Sequence, residues 1–264
     1  MPARKLSASA LSTFLQSPAK SYWNNVARLE PITLSVANFS HDRICGTLWA
    51  EFVDRFYKGV SENTNLTQTL MDWHDQTDGW LPEKAKAKLT GALESWGAQY
   101  YQMFRPDDGC RNGSELHLEN ERFVAYLDGL SPERVVHEVK STSRAPQLAE
   151  QILKVQTSTQ VKLYCVMAKA TGVCIEFAFK DPPYQVFRGP VVPVSAEQLV
   201  IWEQGLNALA DCILSLGDDP NNYPCHPDGC TIITKNFVGH CEYSALCQGI
   251  EGADIAYKPR ERRK

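Results

Sequence analysis

The chain has 264 residues, of which 43% are hydrophobic and 22% are charged, an ordinary composition for a globular protein with one large core. It contains no run of 18 or more apolar residues and no continuous apolar segment near its start, which argues against a membrane span and a secretory signal. The net charge of −4 gives no general sign of nucleic-acid binding, although the last segment, KPRERRK, is basic. We therefore expect a cytoplasmic protein if the source is bacterial or viral, and a nuclear one if it is eukaryotic.

The first hundred residues have mostly helical character. Apolar periodicity predicts a helix over residues 6–23, capped by Ser7 or Ser9 and interrupted near Pro18. A second helix is predicted over 43–57 and a third, longer one over 82–104. The second helix places its apolar residues on one face: Leu48, Phe52, Val53 and Phe56. We expect residues 1–106 to form a helical N-terminal part.

The pattern changes near residue 107, where the segment DDGCRNGS has the composition of a turn. The elements predicted after it are strands at 115–119, 122–127 and 134–140, a long helix at 146–170, strands at 173–179 and 184–188, and a helix at 195–216. This order predicts an α/β fold in which a mixed central sheet is flanked by helices, with residues 107–216 as its core. Residues 217–264 are expected to form a cysteine-rich cap with a basic tail.

Two acidic residues and a lysine carry the strongest chemical signal. Asp128 follows one predicted strand, and Glu138-Val139-Lys140 lies in the next. Because side chains alternate along a strand, Glu138 and Lys140 project from the same face, with Asp128 one hairpin away. Two carboxylates at close range repel each other unless a cation lies between them, and Mg²⁺ accepts carboxylate oxygens while keeping water ligands. Lys140 would then orient or deprotonate a metal-activated water, or stabilise the charge of a transition state.

The spacing alone does not identify a site, because acids and lysines alternate on many exposed strands. Val135, Val136 and Val139 indicate, however, that this strand is largely buried, where an unpaired charge is costly. The combination favours a metal-dependent site over a solvated surface.

Several motifs together resemble the RecB-like branch of the PD-(D/E)XK nuclease superfamily. They are Asp128-Gly129, the segment HEVKSTS, and the residues Gln156, Gln160 and Tyr164, which are spaced four apart. The segments KLSASALSTFLQSPAKSYW and CGTLWAEFVDRFY resemble the first two helices of that branch, so the resemblance runs from about residue 6 to residue 248. Members include recombination and repair nucleases, phage exonucleases and CRISPR-adaptation nucleases.

The resemblance implies a restriction-endonuclease-like fold and hydrolysis of DNA phosphodiester bonds by a metal-activated water, first of all at DNA ends, by an exonuclease or flap-type activity. The metal, Mg²⁺ or Mn²⁺, would be bound by Glu115, Asp128, Glu138 and the carbonyl group of Val139. The other catalytic positions would be Lys140, Gln160 and Tyr164. Gln156, Gln160 and Tyr164 would share one helix face toward the site and the DNA, whereas an ordinary amphipathic helix is the alternative.

Two positions depart from the pattern of the branch. Its members often have a metal-binding histidine four residues after the glycine of the second helix, where this chain has Ala50 after Gly46. Many also have a cysteine before the proline of the first helix, where this chain has Ser17. Two alternatives therefore stay open: a catalytically impaired nucleic-acid-binding protein of the same fold, or a partner-binding protein that uses its cysteine cap.

The nine cysteines are unevenly distributed. An odd number argues against a disulfide framework, and five scattered cysteines are expected to be buried as small hydrophobic residues: Cys45, Cys110, Cys165, Cys174 and Cys212. The other four lie within 23 residues: Cys225, Cys230, Cys241 and Cys247. This cluster resembles the cysteine-rich end of iron–sulfur members, which implies a [4Fe–4S] cluster held by Cys230, Cys241 and Cys247. Its fourth ligand would be Cys225, His226 or another group, and Zn²⁺ is the alternative metal. DNA is the expected partner, together with proteins of recombination or repair.

Overall fold

The structure is a computed structural model. It describes residues 5–31, 41–77, 83–103, 116–142, 147–223, 231–234, 237–240, 246 and 257–259. The chain divides into two compact units, the first formed by residues 1–35, 120–124 and 204–264 and the second by residues 36–119 and 125–203. Asp128, Glu138, Lys140, Gln160 and Tyr164 all belong to the second unit. The predicted boundaries at residues 106 and 216 stay a prediction.

Helices predominate up to residue 103 of the described chain, and strands alternate with helices after it. In chain order the elements are β1 (Leu6–Ser7), α1 (Ala8–Gln16), α2 (Pro18–Ser21), a π-helical turn (Tyr22–Val26), β2 (Leu29–Pro31), α3 (His41–Tyr57), α4 (Glu62–Thr77), α5 (Glu83–Met103), β3 (Leu116–Glu119), β4 (Phe123–Leu127), β5 (Gly129–Leu130), β6 (Val135–Thr142), α6 (Leu148–Thr157), α7 (Thr159–Ala168), β7 (Gly172–Phe179), β8 (Val186–Arg188), β9 (Val192–Pro193), α8 (Ala196–Ser215), a 3₁₀ turn (Pro220–Asn222), β10 (Thr231–Thr234), β11 (Phe237–His240) and β12 (Tyr257–Pro259).

A mixed sheet forms the centre of the second unit. The strand order is β5-β6-β7-β8, and β9 also pairs with β7. Strands β6 and β7 are parallel over their whole length, while β5 pairs with β6, and β8 and β9 pair with β7, in the antiparallel direction. Helices flank this sheet, so the predicted α/β architecture with a mixed central sheet is confirmed.

The main core of the second unit lies between the sheet and helices α3 and α5. Large aromatic side chains fill it, and these are fully buried: Trp49, Phe52, Phe56, Trp96 and Tyr100. The four apolar residues predicted to share one face of α3 all belong to this core. Val139 of β6 also belongs to it. Because side chains alternate along a strand, Glu138 and Lys140 point to the other face of the sheet.

The predicted helix over residues 146–170 is wrong in one respect, because it is two helices. Ser158 leaves the helical conformation between α6 and α7, with φ −68° and ψ 118°. Its backbone N–H still donates to the carbonyl group of Lys154, while its hydroxyl oxygen accepts a hydrogen bond from the N–H of Val161 at 3.3 Å. A serine that caps a new helix therefore outweighs the continuous apolar periodicity of the segment.

Three short strand pairs occur in the first unit. Strand β1 lies parallel to the start of β4, with Leu6 opposite Phe123, and β12 is antiparallel to β2. Strands β10 and β11 form a hairpin in which Thr231 pairs with His240. These two residues are the sequence neighbours of Cys230 and Cys241, which themselves lie outside the described residues, as do Cys225 and Cys247.

The scattered cysteines have different environments. Cys165 and Cys174 are buried, as predicted, and burial, followed by the charge of Glu138, raises the pKa of the Cys165 thiol to about 12. Cys212 is exposed, so the prediction is wrong there: it lies on an outward-facing part of α8. Cys110 and the side chain of Cys45 lie outside the described residues. In the described part of the chain, none of the helices combines the length and apolar character that crossing a membrane requires.

Candidate active site

The pairing of β5 with β6 brings the two predicted carboxylates together. Gly129 lies opposite His137, so Asp128, one residue earlier, comes next to Glu138. One carboxylate oxygen of Asp128, Oδ2, accepts a hydrogen bond from the backbone N–H of Val139 at 2.8 Å. Strand pairing and this bond place Asp128 at the start of the Glu138–Lys140 segment.

Glu138 is a fully buried carboxylate with little compensation. Its exposed fraction is 0%, and among the described residues neither oxygen has a hydrogen-bond partner of ordinary geometry. The ammonium group of Lys140 contacts Oε1 as an ion pair. Burial, and then the charge of Asp128, raises the pKa of Glu138 to about 7 against the opposing effect of the nearby lysines. A carboxylate in this state gains stability from any cation that approaches it.

Lys140 is held by a short polar chain from α7. Its Nζ donates to Oε1 of Gln160 at 3.4 Å, and Nε2 of Gln160 donates to the hydroxyl group of Tyr164 at 3.0 Å. Burial lowers the pKa of Lys140, but the carboxylates of Glu138 and Asp128 raise it by more, so the net pKa lies above its usual value. Lys140 is thus an ammonium group at neutral pH and is positioned from two sides.

The donor set fits a hard divalent cation. Two carboxylates lie together, and one of them, Glu138, has an Oε2 atom without a hydrogen-bond partner within the described residues and an Oε1 atom in contact with Lys140. Those residues contain no group of three or more His, Cys, Asp or Glu side chains suited to one metal ion. Mg²⁺ nevertheless binds through one or two protein carboxylates, because it keeps several waters and takes further ligands from a substrate phosphate.

The sequence was compared with protein-family models and solved structures. The model of the PD-(D/E)XK nuclease superfamily matches residues 5–248. The chain belongs to this superfamily. It is also similar in structure to a "putative exonuclease" from Eubacterium rectale, with a TM-score of 0.53, 12% sequence identity, and coverage of 98% of this chain and 90% of that one. At this identity the likeness shows the fold alone. A search of curated proteins finds no match.

Not all residues predicted for this superfamily member come together. Glu115 lies outside the described residues. Gln156 is on α6 and exposed, separated by the break at Ser158 from the helix that carries Gln160 and Tyr164, so the three do not share one helix face. The side chain of Val139 faces the core, and the role of its carbonyl group as a ligand stays a prediction.

The two departures from the family pattern have visible local consequences. Ala50 is exposed on α3, one turn after Gly46. A Cβ atom added at Gly46 would lie 3.5 Å from the hydroxyl oxygen of Ser141. Ser17 is buried and caps α2, since its hydroxyl oxygen accepts a hydrogen bond from the N–H of Lys20 at 3.3 Å. Ser17 therefore stabilises the start of α2 in the first unit.

Sequence analysis missed a second buried glutamate, Glu176 on β7. Its exposed fraction is 0%, and it lies opposite Val139 in the sheet, on the face away from Glu138. The hydroxyl group of Tyr100 donates to its Oε2 at 2.7 Å, Nη2 of Arg188 donates to Oε1 at 2.9 Å, and Nδ1 of His137 lies 3.2 Å from Oε1. A single acid in the otherwise apolar segment VCIEFAF was the signal that could have revealed it.

Proposed function

We propose that this chain is a divalent-metal-dependent nuclease that hydrolyses phosphodiester bonds in DNA, with exonuclease or flap-type cutting at DNA ends as the leading mode. One observation carries the proposal: Glu138 is fully buried beside Asp128, its Oε1 contacts the ammonium group of Lys140, and its Oε2 has no hydrogen-bond partner among the described residues. Membership of the PD-(D/E)XK superfamily supports it. A structural carboxylate in the same place would be expected to have partners of its own.

The site residues have different roles in the proposed reaction. When bound between Asp128 and Glu138, Mg²⁺ or Mn²⁺ would supply Lewis acidity and lower the pKa of water. The backbone N–H of Val139 donates to the carboxylate of Asp128 and thereby fixes its position relative to Glu138. Lys140 supplies a positive charge for the negative charge that develops on the phosphoryl oxygens, and Gln160 and Tyr164 restrict its position.

The test is degradation of DNA labelled at either end, both single-stranded and duplex. We expect cleavage with Mg²⁺ or Mn²⁺, none in EDTA, and little with Ca²⁺, which binds at longer distances and in a looser geometry. A protein that shifts labelled DNA without degrading it in any of these ions would be the catalytically impaired binder, and the proposal would be wrong. The label that is released first gives the polarity of digestion.

We also propose that Cys225, Cys230, Cys241 and Cys247 bind one metal centre, an iron–sulfur cluster or Zn²⁺. The pairing of Thr231 with His240 supports this, because it joins the chain positions that adjoin Cys230 and Cys241. The capping role of Ser17 is consistent with a fourth ligand elsewhere. Iron, sulfide and zinc analysis of anaerobically purified protein tests the proposal, and absence of all three from protein whose four thiols react freely would contradict it.

A further inference from the structure

A cleft of about 400 Å³ opens beside Lys140 in the second unit. One side is formed by the end of β6 and by Phe177 of β7, and the other side by α6. Its lining is mostly polar and consists of Lys140, Ser141, Thr142, Glu150, Gln151, Leu153, Lys154, Thr157 and Phe177. The cleft therefore continues from the candidate active site along the surface of α6.

Lys154 is the cation of this cleft that forms no direct ion pair with a described carboxylate, although the charge of Glu138 acts on it. Lys140 is paired with Glu138, whereas Lys154 forms no ion pair with any residue that the structure describes, and its side chain is largely exposed. Lys140 and Lys154 line the same cleft, so an anion between their ammonium groups would offset the repulsion of the two positive charges.

The other polar groups of the cleft favour an anion over a cation. The acid in its lining, Glu150, is engaged at the start of α6, where its Oε2 accepts a hydrogen bond from the N–H of Gln147 at 3.0 Å. A phosphate group accepts hydrogen bonds from lysine ammonium groups and has the opposite charge to Lys154.

We propose that this cleft binds the phosphate that neighbours the cut phosphodiester in the same DNA strand, and that Lys154 is the ligand of this phosphate. The proposal rests on the proposed nuclease function and adds a second contact to it, on a different helix from Gln160 and Tyr164. The strand would run from the carboxylates past Lys140 and along α6. Because this contact is made equally before and during the reaction, it contributes to substrate binding more than to the rate of the chemical step.

The first experiment measures the dissociation constant of a labelled oligonucleotide in Ca²⁺ for wild type, Lys154→Ala, Lys154→Arg and Lys154→Glu. Loss of one phosphate contact should weaken binding about tenfold and reduce the slope of log affinity against log salt by about 1. Lys154→Arg should keep most of the affinity, and Lys154→Glu should lose more than Lys154→Ala. Lys58→Ala is the matched control, because Lys58 is a surface lysine of the same unit, paired with Asp54 at 2.6 Å.

The second experiment places one uncharged methylphosphonate linkage at each position on either side of the cut bond. If Lys154 binds one phosphate, a single linkage should weaken binding by wild type but cause no further loss in Lys154→Ala. If the loss of affinity from the linkage adds to the loss from Lys154→Ala at every linkage position, the proposal is wrong. So would a Lys154→Ala variant that binds and cuts DNA like wild type, an outcome that leaves the nuclease function intact.

Melting temperatures separate a binding defect from a folding defect. Equal losses of affinity in Lys154→Ala and Lys154→Arg, accompanied by lower melting temperatures, would show a structural role and overturn the proposal. A wild-type protein that neither binds nor cuts DNA would remove the nuclease function and this contact together. Lower affinity with an unchanged melting temperature and an unchanged rate at saturating DNA would support it.

Discussion

Glu138 and Glu176 are two fully buried glutamates on neighbouring strands, one on each face of the same sheet. Glu176 accepts hydrogen bonds from Tyr100 and Arg188 and lies next to His137. Glu138 has an ion pair with Lys140, a second carboxylate nearby, and no hydrogen bond of ordinary geometry within the described residues. The difference indicates that burial alone does not mark a functional acid: the distinguishing property is a buried charge whose partners are incomplete.

The largest expected effect is on catalysis. Glu138→Gln and Asp128→Asn should each reduce cleavage at least about 10³-fold, because each removes a charge that a cation requires, and Lys140→Ala should do the same by removing positive charge beside the phosphoryl group. Thermal stability should stay equal to that of wild type or increase for Glu138→Gln, since the buried charge is lost. Cleavage assays and melting curves measure the two effects, and activity within a few-fold of wild type would contradict the assignment.

The opposite result is expected for Glu176→Ala. Removal of this carboxylate takes away the charge that compensates the partly buried Arg188, and the free energy of unfolding should fall by about 2 to 4 kcal/mol. Tyr100→Phe, which removes a single hydroxyl donor, should cost about 1 to 2 kcal/mol. Urea unfolding measures both. A Glu176→Ala protein as stable as wild type would mean that the cluster around Glu176 contributes little to folding.

The pH dependence of the free energy of unfolding should reveal the raised pKa of Glu138. In EDTA, folded Glu138 keeps its proton up to a pKa of about 7, whereas in the unfolded chain the carboxyl group loses it at its ordinary pKa of 4.5. Between these values the folded state binds more protons, so the free energy of unfolding should fall as the pH rises from about 4.5 to about 7. Urea unfolding over this range should show the fall in wild type, and a similar fall in Glu138→Gln would assign it to other groups.

Metal binding should have the opposite pH dependence, because a cation binds the ionised carboxylate. Mn²⁺ affinity should increase as the pH rises toward 7, and the stabilisation that the ion provides should increase with it. Isothermal titration at several pH values measures this trend. An affinity that does not change with pH would place the ion elsewhere.

The smallest expected effect comes from Ala50→His. Ala50 is exposed on α3, and the core contacts of α3 include Val139, on the Glu176 face of the sheet. Gly46, on the same side of α3, lies near Ser141 on that face, whereas the family pattern predicts that a histidine at position 50 tightens Mn²⁺ binding modestly or raises cleavage. Calorimetry with Ala50→Gln as the control measures the change. No change in affinity or activity would show that residue 50 does not reach the carboxylates.

The sequence allowed the elements around the site to be predicted because their signals are local. The apolar face of α3 depends on residues a few positions apart and is confirmed, and the β-branched residues around Glu138 correctly predicted a strand, β6. The cluster around Glu176 joins residues from four other elements, and Arg188 and Tyr57 in it are 131 positions apart. No local periodicity encodes such a contact. The break at Ser158 was missed because the apolar pattern continues across it.

The two helices that meet at Ser158 also differ in how firmly they are attached. Five residues of α7 are buried, including Tyr164 and Cys165, whereas α6 buries Gln151 and Val155 among the residues whose side chains are described. Each helix has its own ladder of backbone hydrogen bonds, so α6 can open without breaking those of α7. In hydrogen exchange, the amides of α6 should therefore exchange as a separate and faster group. The part of the molecule that carries Lys154 would adapt to different strands while Gln160 keeps Lys140 in place.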